Sequence, residues 1–359
     1  MASPVQSTVL GSLVCFSLYA LSVCCRPGSV TARRDRTRGA PMTRTRTLRL
    51  LALSAAVSLG LVVSPAHAAE SPEQADPFSI VVLPDTQYSS ESYPAAFDAQ
   101  GRWIKDNKDS RNITYALHAG DVVDDSDQDG QWTTASNAMG WLDGNVPYII
   151  GVGNHDMDAM PNGDDPENVR DATAFNKNFP VSKFESLPSF GGSYPEGQND
   201  NSYHTFSAGG TDWLVLSLKY VPTDKELDWG NQVIADHPNH QVMVLTHSYQ
   251  KGEQKTEDGK RIWSELVSKH ANVSFVFSGH HVAAGMIEEK GDNGNTVYQI
   301  QADYQDKNKL DPNSFFRVMD FDPAAETVSV ETYSPYLDAN KDDAANEFVI
   351  KDFDFLPAN

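Results

Sequence analysis

The residues most suggestive of chemistry stand where apolar runs end. Val146-Pro147-Tyr148-Ile149-Ile150 leads through "GVG" into Asn154, His155 and Asp156. An amide, an imidazole and a carboxylate are costly at the end of a buried strand unless something there uses them. The pattern recurs four more times. "IVVLPDTQ" ends in Asp85 and Gln87, "ITYALHAGD" in Asp121, "VMVLTHS" in His247 and "SFVFSGHH" in His280 and His281. All are oxygen or nitrogen donors of the kind that bind metal cations. In an open α/β sheet, ligands collect outside the carboxyl ends of the strands, so five such ends can converge on one cluster.

The elements that must carry these residues follow from periodicity. Phe78–Leu83, Ile113–Leu117, Val146–Ile150, Val242–Leu245 and Val273–Phe277 read as buried strands. Phe97, Trp103 and Ile104 fit a helical face that Gly101 weakens. Trp132, Ala135, Met139 and Leu142 recur at helical spacing, Leu227, Val233 and Ile234 suggest another helix, and Ile262–Val267 a further one. Tyr203–Phe206 and Trp213–Leu218 flank Gly209-Gly210, a hairpin signal. Residues 157–200, rich in Asp, Asn, Pro and Gly, read as a long loop. The end turns β-rich at Val297–Ile300, Phe315–Phe321 and Val328–Thr332. The alternation predicts one α/β domain with layered sheets and helices outside.

The series D-x-[H/Q], G-D, G-N-H-D, H and G-H resembles that of the calcineurin-like metallophosphoesterases, and in particular their bacterial secreted members with "PDTQ" at the first position. The resemblance covers residues 78–335. It implies a two-layer mixed β-sheet sandwich flanked by α-helices, with two divalent or trivalent metal ions (Mn, Fe, Zn or Ca) at its rim. Carried onto this chain, Asp85 and Gln87 bind the first ion, Asp121 bridges both, and Asn154, His247 and His280 bind the second. His155 faces the substrate as general acid, positioned partly through Asp156. Two ions ~3.5–4 Å apart clamp the attacking and leaving oxygens of an in-line displacement, and the hydroxide between them replaces a protein nucleophile. The implied activity is hydrolysis of a phosphate mono- or diester. The alternative is a non-catalytic extracellular module that keeps the fold with one metal or none.

Two positions depart from the family pattern. Gln87 stands where many members have His, which favours Mn, Fe or Ca over zinc. The last motif is often G-H-x-H, and here Val282 holds the second His register. His281 either substitutes as a ligand or is a loop histidine. "DDSDQDGQW" reads first as a solvated acidic loop leading into the Trp132 helix. Its second reading is a calcium loop of Asp125, Asp127 and Asp129, with Ser136 at the twelfth position where Glu is expected. "DANKDD", Asp338–Asp343, is a weaker version of the same pattern. His118 reads as a core residue, His204 and His270 as solvent-facing or capping, and His237 and His240 as turn residues. Tyr304 and Gln305 are minor candidates for lining the cleft.

Composition sets the setting. The three cysteines, Cys15, Cys24 and Cys25, all lie near the start, so nothing downstream can form a disulfide or a Cys-based zinc site. Met42 opens a basic head, an apolar run from Leu50 to Val63 and Ala66-His67-Ala68, which is the pattern of a secretory signal peptide over residues 42–68. Residues 1–41 read as an unfolded upstream extension, 69–335 as the catalytic domain, and 336–359 as a tail packed on it. Removing the first 68 residues takes away eight arginines and one acid, leaving 20 basic and 48 acidic residues and a net charge of −28. Such a surface repels long nucleic acids and attracts cations. The expectation is a secreted monomer with a small phosphate-ester substrate and no membrane span after cleavage.

Overall fold

Strand-forming runs of Val, Ile, Leu and Phe dominate the part of the chain that follows residue 77. The computed structural model describes residues 75–157, 171–305, 312 and 314–358. The extension and signal-peptide readings lie outside them. The described residues belong to one compact unit, Ala68–Asn359. Its strands are β1 (Phe78–Leu83), β2 (Ile113–His118), β3 (Tyr148–Ile150), β4 (Phe190–Tyr194), β5 (Asn201–Ala208), β6 (Thr211–Leu218), β7 (Gln241–Thr246), β8 (Gln250–Lys251), β9 (Gln254–Lys255), β10 (Val273–Ser278), β11 (Ala283–Lys290), β12 (Thr296–Asp303), β13 (Phe316–Asp322), β14 (Thr327–Ser334), β15 (Ala339–Lys341) and β16 (Phe348–Lys351). The helices are α1 (Gln87–Ser92), α2 (Pro94–Asn107), α3 (Asp129–Gly140), α4 (Thr173–Asn178), α5 (Val181–Phe184), α6 (Asp224–Asp236) and α7 (Glu257–Glu265).

Two mixed seven-stranded sheets result. One runs β15-β14-β13-β1-β2-β3 with β16 also on β14, and the other β11-β12-β10-β7-β6-β5-β4. Within them β1, β2 and β3 are mutually parallel, and so are β6, β7, β10 and β12. The period of two sorts each strand's side chains into two cores. Phe78, Ile80 and Val82 of β1 pack between the sheets against Trp213, Met243, Leu245 and Phe275. Val81 and Leu83 turn to the other side, under Phe97, Ile104, Trp132 and Met139 of α2 and α3. Val242 and Val244 of β7 pack under Leu227 and Ile234 of α6 and Ile262 of α7. Helix, sheet, sheet and helix therefore form four layers. Each fully buried side chain of this size stabilises the fold by roughly 1.5–3 kcal/mol. The tail joins the first sheet, since β15 and β16 both pair with β14 and Phe353 enters the core between the sheets.

Several details differ from the sequence reading. Residues 171–200 hold α4, α5 and β4 rather than bare loop, and residues 158–170 lie outside the described part. Phe175, Phe179 and Phe184 are buried there, the first two edge-on to Trp132 at 6.4 and 6.3 Å. Helices of four to six residues are too short to show a periodic face, which is why the sequence hides them. His204 is fully buried, its Nδ1 2.6 Å from the Tyr115 hydroxyl, and does not face solvent. His118 is a core residue, as expected, with Nε2 2.9 Å from Thr86 Oγ1. The acidic run at Asp125–Gly130 matches its first reading, a solvated loop leading into the Trp132 helix. Asp125, Asp127 and Asp129 are exposed, and α3 begins at Asp129. In the other acidic run, Ala339–Lys341 form β15.

Gly101 interrupts the α2 pattern for a packing reason. A Cβ there would lie 2.1 Å from the Ala138 carbonyl oxygen of α3, a backbone atom that has no side-chain freedom to yield. Gly101→Ala is therefore expected to destabilise the protein by about 1–3 kcal/mol despite the better helix propensity of alanine. Urea unfolding checks this as a lower midpoint with an unchanged slope.

Candidate metal centre

The carboxyl ends of the parallel strands open at one place. Beyond β1, the N–H of Thr86 donates to the Asp121 carbonyl at 3.0 Å, tying the first strand end to the second. Gly279 N–H donates to the His247 carbonyl at 3.0 Å, tying β10 to β7. Across the sheets, His247 Nε2 lies 3.1 Å from Asp121 Oδ2, 3.1 Å from Asn154 Oδ1 and 4.0 Å from Asp85 Oδ2. Ligand atoms of Asp121, His247 and His280 all fall within 4.8 Å of one another. The His247 and His280 rings are 5.0 Å apart, and the Tyr220 ring contacts both, at 5.8 and 5.1 Å. Glu91, Asp124 and Asp125 form a second, more exposed acidic group nearby.

The glycines of the motifs are dictated by close approach. A Cβ on Gly153 would sit 2.0 Å from Asp121 Oδ1, and one on Gly279 1.9 Å from Asp85 Oδ1. Asp121 and His280 themselves take φ values of 51° and 67°, in the left-handed region. That region costs a non-glycine residue roughly 1–2 kcal/mol. Non-glycine residues held this way cluster at functional sites.

The donor set fits a cation. Asp85, Asp121 and Asp156 are at most 1% exposed, and the charge that faces them is the buried His247. Its Nδ1–H donates to the Ala119 carbonyl at 2.9 Å, which leaves Nε2 as the ligating nitrogen, the arrangement usual for metal-bound histidines. Gln87 is buried, and its Oε1 has no hydrogen-bond partner while its Nε2 donates to Asp124 Oδ1 at 3.3 Å. A buried amide oxygen left without a hydrogen-bond partner is what an ion would use.

His155 sits at the rim with its side chain 32% exposed. Its backbone N–H donates to Asp121 Oδ1 at 2.9 Å, and its Nδ1–H to the Asp124 carbonyl at 2.7 Å. Asp156, expected to support this ring, instead accepts the N–H groups of Val122, Val123 and Gly153 at 2.8, 3.3 and 2.9 Å. It staples the loop after β2 to the loop after β3. The group on the ring is Asp124, which the sequence reading passed over although it lies three residues beyond Asp121.

The last motif is also resolved in space. The His281 ring packs edge-on to His280 at 4.5 Å, and the Val282 side chain is 44% exposed. Val282 thus turns to solvent, and His281 lies beside the Asp121–His247–His280 group. Of the two minor candidates, Gln305 reaches Asp85 Oδ2 with Nε2 at 3.4 Å. Tyr304 turns away, its hydroxyl donating to Asn346 at 2.8 Å.

Charges follow the burial. Burial would lower the His247 imidazolium, but Asp121 and Asp85 outweigh it and push its pKa up to about 10. Burial would raise Asp121, but the His247 and His155 charges hold it below the ordinary carboxylate range. Burial and then the Asp121 charge push Asp156 up to about 7, while burial and then Asp303 raise Asp85. Burial and the neighbouring His247 lower His280 to about 3.

The profile of the family described as calcineurin-like phosphoesterase matches residues 78–284. The uncharacterized protein YvnB of Bacillus subtilis (strain 168) is 37% identical over 276 residues, 75% of this chain. The chain spans only 21% of that relative's length. Among solved structures, the purple acid phosphatase PPD1 from yellow lupin (Lupinus luteus) seeds is similar with a TM-score of 0.51 and 12% identity, over 78% of this chain and 55% of that one. That likeness is one of fold.

The raised groups bind protons in the folded state that the unfolded chain releases. Asp156, at 3.8 when unfolded and about 7 here, makes stability fall as pH rises between those values. His247, at 6.5 when unfolded and about 10 here, continues the fall at higher pH. His118, His204 and His280, each lowered to about 3 by burial, work the other way up to 6.5, so the fall belongs to the range above neutrality: protein in EDTA is expected to melt at a lower temperature at pH 9 than at pH 7. Saturating Mn²⁺ is expected to reduce that fall, because the cation takes the proton's place. Thermal melts with and without metal across this range check both statements.

Proposed function

The chain belongs to the calcineurin-like phosphoesterase family, and on that premise we propose that it is a metal-dependent hydrolase of a small phosphate ester, acting outside the cytoplasm. The observation that carries this reading is the convergence of Asp121, His247 and His280, with Asn154 Oδ1 3.1 Å from His247 Nε2, together with the buried, partnerless Gln87 Oε1. In this reading Asp85 and Gln87 hold a first ion, with His281 within reach as a further donor. Asp121 is shared, and Asn154, His247 and His280 hold the second. Two such ions supply Lewis acidity and a water acidified to near neutrality.

The chain's own groups do the rest. Asp121 would be shared between the two sets of donors, and its backbone is fixed by Thr86 and the left-handed turn after Gly120. His155 keeps its Nδ1 proton on the Asp124 carbonyl, so the Nε2 proton is the one available to a departing ester oxygen. Burial opposes protonation of this ring, but the Asp121 and Asp124 charges outweigh it and raise its pKa. A proton held near neutral pH is what a general acid needs, and such a group contributes about 10²–10⁴-fold. The surplus of acidic residues over the mature chain favours a small substrate over a long polyanion. The signal-peptide pattern of residues 42–68 supports action after export.

The test is elemental analysis of protein beginning at Ala69, paired with hydrolysis of bis-p-nitrophenyl phosphate and p-nitrophenyl phosphate in added Mn, Fe, Zn or Ca. About two ions per chain and turnover that EDTA abolishes are expected. His155→Ala is expected to lower kcat by about 10²–10⁴-fold at unchanged metal content. No turnover under any ion, with one ion or none bound, would instead favour a non-catalytic module.

A further inference from the structure

A sixth parallel strand also delivers a carboxylate to the centre. β12 ends in Asp303, which is 1% exposed. Its Oδ1 accepts the Gln305 backbone N–H at 2.9 Å, and its Oδ2 accepts Gln305 Nε2 at 2.9 Å. The same Nε2 lies 3.4 Å from Asp85 Oδ2. One side-chain amide, itself 7% exposed, therefore spans two buried carboxylates. Asp85 also accepts the His280 N–H, at 3.2 and 3.0 Å from its two oxygens, and faces His247 Nε2 at 4.0 Å.

Two carboxylates on one neutral amide are an unfavourable arrangement in a dry interior unless a cation compensates them. The oxygens of Asp85, Gln87 and Asp121 make the first position a site for a hard cation. We propose that Asp303, acting through Gln305, is a positioning residue for that first ion: it fixes the orientation of Asp85 and adds negative charge beside it. The inference rests on the two-ion reading above.

Mn²⁺ titration of the purified protein, followed by calorimetry and by electron paramagnetic resonance, tests it without recourse to activity. Wild-type protein is expected to bind two Mn²⁺ ions. Asp303→Asn and Gln305→Ala are each expected to weaken one of the two by about 10–100-fold and leave the other at its wild-type affinity. His247→Ala is expected to weaken the ion that those variants spare. If Asp303→Asn unfolds, Gln305→Ala carries the same expectation, because it leaves the buried carboxylate in place. Two ions with wild-type affinities in both variants, or equal weakening of both ions in folded protein, overturns the role of Asp303. Fewer than two ions on the wild type overturns the two-ion reading itself, and this inference with it.

Discussion

The interaction on which the site depends is repulsion between buried carboxylates. Asp85, Asp121, Asp156 and Asp303 are each at most 1% exposed, and they lie close enough for their charges to shift one another. Water cannot screen them there, and removing an ion from water costs several kcal/mol even after relaxation. The fold offsets this with oriented N–H groups. Asp156 takes three from the backbone, Asp85 takes that of His280, and Asp121 takes that of His155. His247 contributes the buried positive charge. What these leave uncompensated must be met by protons or by a bound cation.

The layers of the domain exist in part to impose that proximity. Two sheets held by Phe78, Trp213, Phe275 and Phe321 fix the separation between the ends of β1–β3 and those of β7, β10 and β12. Across that gap His247 reaches Asp121, Asn154 and Asp85. Glycines at 153 and 279 admit the carboxylates at distances that any side chain would block. The left-handed turns at Asp121 and His280 are tolerated because the surrounding hydrogen bonds over-determine them. Packing energy is thus converted into a site that is strained and charged.

The two proposed ion positions would differ in character. Around His247 the donors are two imidazoles, an amide oxygen and a carboxylate. Around Asp85 they are oxygens, with Gln87 in place of a histidine and Val282 facing away. An oxygen-rich position with an added carboxylate behind it compensates by charge what it lacks in ligand softness. An acidic exterior works in the same direction, since it concentrates cations near the protein. Phosphate esters are repelled by that exterior, so only a metal-loaded centre would make their approach favourable.

Much of this was legible in the sequence. The strand-end rule singled out Asp121, Asn154, His247 and His280, which the fold brings to one place, because apolar runs that end in costly polar groups advertise their purpose locally. The layered α/β class followed from the same alternation. The tertiary structure alone decided the partners. Asp156 binds backbone rather than His155, and Asp124 takes the ring, since a contact across two loops leaves no local spacing to read. Asp303 ends a strand that alternates with Gln299 and Gln301, so no apolar run announces it, and only the pairing of β12 beside β10 and the Gln305 amide link it to Asp85. His204, which the sequence alone reads as solvent-facing or capping, is buried because β5 lies against Tyr115 of β2. Local sequence records which strand ends carry chemistry, because burial cost acts on each residue where it stands. Which groups meet is set by strand order and register, and those are properties of the whole sheet.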